Sequence, residues 1–156
     1  GPLHFERRSL SAARAPEPAP AAAAQPTREP PRAEISEWTT LDNAVAESWR
    51  NGKPVLIDFN AEWCGPCQAL KRQVFDDGTR GRAVRTAVIP VSIVDRARED
   101  GSNPPETESL QRRYQVDAFP TLIVFSPATG RYEKTRGFVA ADATLAWITQ
   151  AANSVR

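Results

Sequence analysis

The chain has 156 residues, of which 40% are hydrophobic and 25% charged, with a formal net charge of +1. That balance suits one globular domain with length to spare, and arginines scattered among acidic residues argue for neither nucleic acid nor a membrane surface as partner. No apolar run approaches the ~20 residues that span a bilayer.

Residues 1–34 read as a linker. Gly1-Pro2 matches the scar that a site-specific protease leaves after tag removal, so the natural start is expected to lie elsewhere. Pro16, Pro18 and Pro20 alternate with alanine and glutamate, Ala21 to Ala24 follow, and Pro26, Pro30 and Pro31 close the stretch. Such a segment buries too little apolar surface to offset its ordering entropy, and is expected to be a disordered, semi-rigid tether.

A folded domain is expected over 35–156. Thr39 or Thr40 caps a helix that presents Leu41, Val45 and Trp49, with Asn51-Gly52 as its stop. The apolar run Val55 to Phe59 is a buried strand, and a helix that starts at the cysteines runs to about Phe75 before Asp76-Asp77-Gly78. A short helix closing near Val84-Arg85 precedes a second strand, Ala87 to Val94, which Pro90 places at a sheet edge. Asp95 to Pro105 is a polar loop, and Asn103, Pro104 and Glu106 fit the N-cap, N1 and N3 positions of a helix running to Tyr114. Thr121 to Phe125 and Arg131 to Arg136 are consecutive strands around a turn, and Gly137 precedes a final helix presenting Leu145, Ile148 and Ala152. Alternating strands and helices followed by a hairpin indicate an α/β domain, a mixed sheet with helices on both faces.

The sequence holds two cysteines, in the run Trp63-Cys64-Gly65-Pro66-Cys67 between the first strand and its helix. At a helix start, unpaired N–H groups and the helix dipole favour negative charge, which lowers the Cys64 pKa from ~8.5 toward neutrality. Cys67, one turn later on the same face, is placed to attack a mixed disulfide formed at Cys64. Gly65 allows close packing of the turn, and Pro66 needs no N–H there. A Cys-x-x-Cys pair is also half of a zinc site, but zinc takes four ligands and the single histidine, His4, lies in the tail. No metal is expected, and no cofactor beyond the redox-active Cys64–Cys67 disulfide.

Val55-Leu56-Ile57-Asp58-Phe59-Asn60-Ala61-Glu62 leading into Trp63-Cys64-Gly65-Pro66-Cys67, together with Phe119-Pro120-Thr121-Leu122 and Gly137, resembles the thioredoxin superfamily. Within it the chain is similar to the C-terminal domain of the bacterial transmembrane thiol:disulfide interchange protein DsbD, through Lys53-Pro54-Val55, Val74-Phe75 and the long stretch before Pro120. The resemblance implies a thioredoxin fold with Cys64 as nucleophile, Cys67 as resolving thiol and Asp58 as the buried carboxylate that assists Cys67. It implies a cis Pro120 that brings the Phe119 backbone beside Cys64, Gly137 next to it, and an apolar contact surface at Trp63 and Pro66. Asn60 stands where the family carries tryptophan, Phe119 is bulkier than usual, and Asp95 to Pro105 looks like an insertion.

Gly65-Pro66 resembles the reducing members, so a protein-disulfide reductase is expected. A non-catalytic binding or chaperone module for extended partners is the alternative. Expected partners are a disulfide-bearing protein substrate and an upstream electron-donor protein, met by a monomer. The tether and the missing start suggest a domain held at the outer face of a bacterial inner membrane, in the periplasm, with the cytoplasm as the alternative setting.

Overall fold

The computed structural model describes residues 38–156; the linker expected over 1–34, its scar and the expected domain start at 35 lie outside them. Helix α1 (Leu41–Asn51) opens where the Thr40 hydroxyl accepts the N–H of Asn43 at 3.1 Å. It closes at Gly52, whose φ of 79° is a left-handed conformation that side chains resist. Its buried positions are Ala44 and Ser48; of the expected Leu41, Val45 and Trp49, Leu41 packs half-buried against the core, Val45 is half-buried, and Trp49 is 62% exposed. Small side chains let the helix lie close to the sheet, so fit rather than hydrophobicity selects the face.

Strand β1 (Val55–Ala61) is buried throughout except at Asn60, and it runs two residues beyond the expected end. It sits between β2 (Ile89–Asp95), parallel to it, and β3 (Thr121–Phe125), antiparallel; β4 (Tyr132–Arg136) completes the order β2-β1-β3-β4. The Pro90-bearing strand is thus at an edge, as its sequence predicts. The pleat divides β1 between two cores. Leu56, with Leu122 and Val124 of β3, faces one core that includes Leu70, Val84 and Ile148. Val55, Ile57 and Phe59, with Ile123, face the other, which includes Ala44 and Tyr114. Helices on both faces account for a strand that is apolar at successive positions.

Helix α2 (Gly65–Leu70) passes into one π-helical turn, Lys71–Phe75, where the Asp76 N–H donates to the Lys71 carbonyl at 2.8 Å. The wider turn replaces the regular helix end expected from the sequence, and it brings Val74 and Phe75 fully into the core. Asp77, expected as part of a stop, also begins the next element. Its carboxylate accepts the Arg80 N–H at 2.9 Å and caps α3 (Gly78–Ala87), a helix of 10 residues where a short one was expected.

The segment after β2 is not plain loop: it folds into the turn α4 (Ala97–Asp100), closed by Gly101 at φ 87°. Helix α5 (Pro105–Arg113) has Pro104 at its N-cap, one position later than expected, and no capping side chain. Asn103 turns instead to the strand end, accepting the Arg96 N–H at 2.6 Å and donating to Asp95 at 2.9 Å. Two bonds there outcompete one at the cap. Strand β3 matches its expected bounds, and α6 (Ala141–Val155) buries Ile148, Ala151, Ala152 and Val155 against the sheet. Among the described residues no helix is long and apolar enough to cross a membrane.

Ile148 is wholly inaccessible in the core that also holds Leu70 and Phe75. Ile148→Ala is therefore expected to lower the unfolding free energy by about 2–5 kcal/mol, read from urea titration. A loss under ~1 kcal/mol would mean that the core collapses around the cavity.

Candidate active site

Strand β1 ends at Ala61, and the Cys64 N–H donates back to the Ala61 carbonyl at 3.2 Å. Cys64 then occupies the N-cap of α2 with extended backbone, and its Sγ accepts the Cys67 N–H at 3.1 Å. Pro66 falls in the first turn, where its missing N–H leaves no bond unmade. The two sulfurs are joined in a disulfide, with Cα atoms 5.2 Å apart. Each cysteine is only 4% exposed, packed with Ala61 and Phe119, while Trp63, Gly65 and Pro66 around them are exposed. Among the described residues no group of three or more His, Cys, Asp or Glu side chains is gathered as a metal site would need.

The close-packing role expected for Gly65 is corrected. A Cβ there would meet nothing within 4 Å, so the residue stands in open space rather than filling a tight turn. The Phe119–Pro120 peptide bond is cis. Phe119 packs against the cysteine pair and meets the Trp63 ring edge-on, with centroids 6.0 Å apart. Pro120 is buried, and its carbonyl accepts the Gly137 N–H at 2.8 Å, with Gly137 in the left-handed region at φ 86°. Residues far apart in sequence thus converge on one end of β1.

Asp58 lies in mid-strand, 5% exposed, and its Oδ1 has no hydrogen-bond partner. Burial pushes its pKa up from the ordinary 3.8 to about 7. It shares a cleft of about 280 Å³ with Cys67, Asn60 and Lys71. The Asn60 amide donates to the Asp58 carbonyl at 2.9 Å and to the Ser92 hydroxyl at 3.0 Å, so this departure from the family pattern fastens β1 to β2 at the cleft wall.

Several residues at this site were not singled out from sequence. Trp38, the first described residue, lines the same cleft and packs edge-on against Phe75 at 5.1 Å. Lys71 reaches it from the start of the π-helical turn while paired to Asp76 at 2.7 Å. Arg96 and Arg98, in the expected insertion, contact Glu62 and Trp63. Only the unusual length of that insertion hinted at a role.

The family model described as a thioredoxin-like domain matches residues 41–152. Over 97 residues the chain is 33% identical to the thiol:disulfide interchange protein DsbD 1 of Pseudomonas aeruginosa, covering 62% of this chain and 15% of that protein. Over 95 residues it is 30% identical to a thioredoxin of Acidithiobacillus ferridurans, covering 61% of this chain and 75% of that one. The C-terminal domain of Neisseria meningitidis DsbD in its oxidised form is similar in structure, with a TM-score of 0.58 and 25% identity over 70% of this chain and 90% of that one. The chain spans only 15% to 18% of the first DsbD proteins it matches.

Between pH ~4 and ~7 the folded chain holds the Asp58 proton that the unfolded chain releases, so folded-state stability declines as pH rises through that window. Asp58→Asn removes the burden of a buried charge. In denaturant titrations of the disulfide form it is expected to add about 2–4 kcal/mol at pH ~8 relative to its effect at pH ~4. An equal effect at both pH values would show that Asp58 ionises without hindrance.

Proposed function

The chain belongs to the thioredoxin-like family and is a thiol–disulfide oxidoreductase, and on that premise we propose that it acts as a reductase of protein disulfides. The observation that carries this reading is the Cys64–Cys67 disulfide at the opening of α2, with the Cys67 N–H directed at the Cys64 sulfur. The Cys64 thiolate attacks one sulfur of a substrate disulfide and expels the other as thiolate. Cys67 then attacks Cys64 in the mixed disulfide, expelling the second substrate thiolate and leaving the protein bridged. Two electrons pass from the protein dithiol to the substrate, whose thiolates take up protons.

Asp58 is assigned the proton of Cys67. A carboxyl group with pKa about 7 is half ionised at neutral pH, which suits a base that must also release its proton. Its position in one cleft with Cys67 supports this assignment. On the outer side, the exposed Trp63 and Pro66 are assigned to supply apolar contact to a polypeptide, and no side chain crowds the exposed Gly65 between them. Phe119 and Pro120, beside the cysteines, are assigned to hold that polypeptide extended, with Gly137 bracing them.

Reduction as the direction is supported by Gly65-Pro66 between the cysteines, where no cationic side chain adds to the stability of the thiolate. Similarity to DsbD supports a setting at the outer face of a bacterial inner membrane, with an electron-donor protein that re-reduces the disulfide and a disulfide-bearing protein as substrate.

Cys67→Ser is expected to accumulate a mixed disulfide with its substrate, visible on a non-reducing gel and released by dithiothreitol, whereas Cys64→Ser forms none and loses reductase activity. If the Cys64→Ser, Cys67→Ser double variant kept the biological activity, the protein would be a binding module instead. Equilibration with glutathione should give a potential nearer the reducing thioredoxin end, ~−270 mV, than the oxidising end, ~−120 mV.

A further inference from the structure

The segment between β2 and α5 is built, and it is built onto the active-site loop. The Asp95 carboxylate accepts three donors: the Ala97 N–H at 3.0 Å, Asn103 Nδ2 at 2.9 Å and Gln111 Nε2 at 2.8 Å. Burial works to raise its pKa, but these bonds outweigh burial and hold it below the usual carboxylate value. From that hub, two side chains reach neighbouring residues of the loop before Cys64. Arg96 Nη1 meets Glu62 Oε1 at 3.4 Å, and the Arg98 guanidinium lies 3.6 Å from the centre of the Trp63 ring.

The two arginines differ in what charge they leave over. Arg96 is paired with both Glu62 and Asp100, and it also feels the field of Glu99. Arg98 is exposed, and among the described residues no carboxylate lies within ion-pair distance of it. Stacking uses the face of the guanidinium and leaves its N–H groups, which point outward in the plane, free to bind. Trp63 also meets Phe119 in an edge-on contact with centroids 6.0 Å apart, so the ring under Arg98 has a second packing partner. An uncommitted cation with free forked donors therefore stands over the residue that precedes the nucleophile proposed above.

We propose that Arg98 is a specificity residue that recognises an acidic side chain flanking the cysteine of the partner protein. The geometry favours a carboxylate because the fork of Arg98 can engage it in two parallel bonds at the rim, while a lysine there would meet a like charge. This inference rests on the exchange chemistry proposed above, though not on its direction.

The test uses three peptides that carry an intramolecular disulfide and differ only in a residue next to the cysteine: glutamate, glutamine or lysine. Second-order rate constants for their reduction by the dithiol protein are expected to fall in that order at low ionic strength, and to converge at about 0.5 M salt as rim charges are screened. Arg98→Gln should lower the glutamate-to-lysine ratio by about threefold, the scale of an exposed ion pair. Arg98→Glu should invert the order. An order that Arg98→Glu leaves unchanged, or a preference that persists in high salt, would overturn the proposal. The same peptides as dithiols, reacted with the oxidised protein, give a second reading. Glutamate preference there, with no reduction of the disulfide peptides, would reject the reductase direction and leave the role of Arg98 standing.

Discussion

Among the described residues three helices open in the same way, and one of them does so with sulfur. Thr40 and Asp77 each accept the N–H three residues on through a side-chain oxygen, and Cys64 does so through Sγ. The rest of the site follows from that substitution. A helix start must satisfy its free N–H groups, and the atom that does it here is one of the two sulfurs joined in the disulfide. Reduction would convert a weak acceptor into an anion at a place already arranged to receive one, so capping and reactivity are one interaction seen in two oxidation states.

The position of the cap is set by β1. Its two faces are claimed by separate cores, which fixes the strand at the centre of the sheet and fixes where it ends. Within that strand Asp58 is the exception. Its unpaired oxygen and raised pKa mean that the fold tolerates a group that an amide or an aliphatic side chain would replace with a gain in stability at neutral pH. Such a residue is expected where activity and stability pull in opposite directions, and Asp58 lines one cleft with Cys67, as the role proposed for it requires.

The strands that build the centre were plain in the sequence because their signals are local: apolar runs of strand length, a proline that relegates β2 to an edge, and the bounds of β3. The Cys64–Cys67 turn was equally plain, since a strand, two thiols and a helix follow one another without a gap. What escaped depended on neighbours distant in the chain. The inward face of α1 joins Ala44 and Ser48 to the expected Leu41, and no hydrophobic periodicity registers a face made partly of small residues. Asn103 has the residue type of a cap, but Asp95 and Arg96 claim it. The stack of Arg98 on Trp63 joins residues 35 positions apart in the numbering, one in a motif and one in a polar segment that reads as loop from its sequence and folds into α4.

The outer margin of β2 has a consequence for crowding. The Ile89 N–H points inward, to the Pro54 carbonyl, so the backbone nitrogen of the next residue faces away from the sheet, and that residue is Pro90. No hydrogen is present there to template a foreign strand, and Pro90 is itself covered. A neighbouring chain is thereby denied a backbone donor at this point of the margin, which blunts sheet-to-sheet polymerisation there.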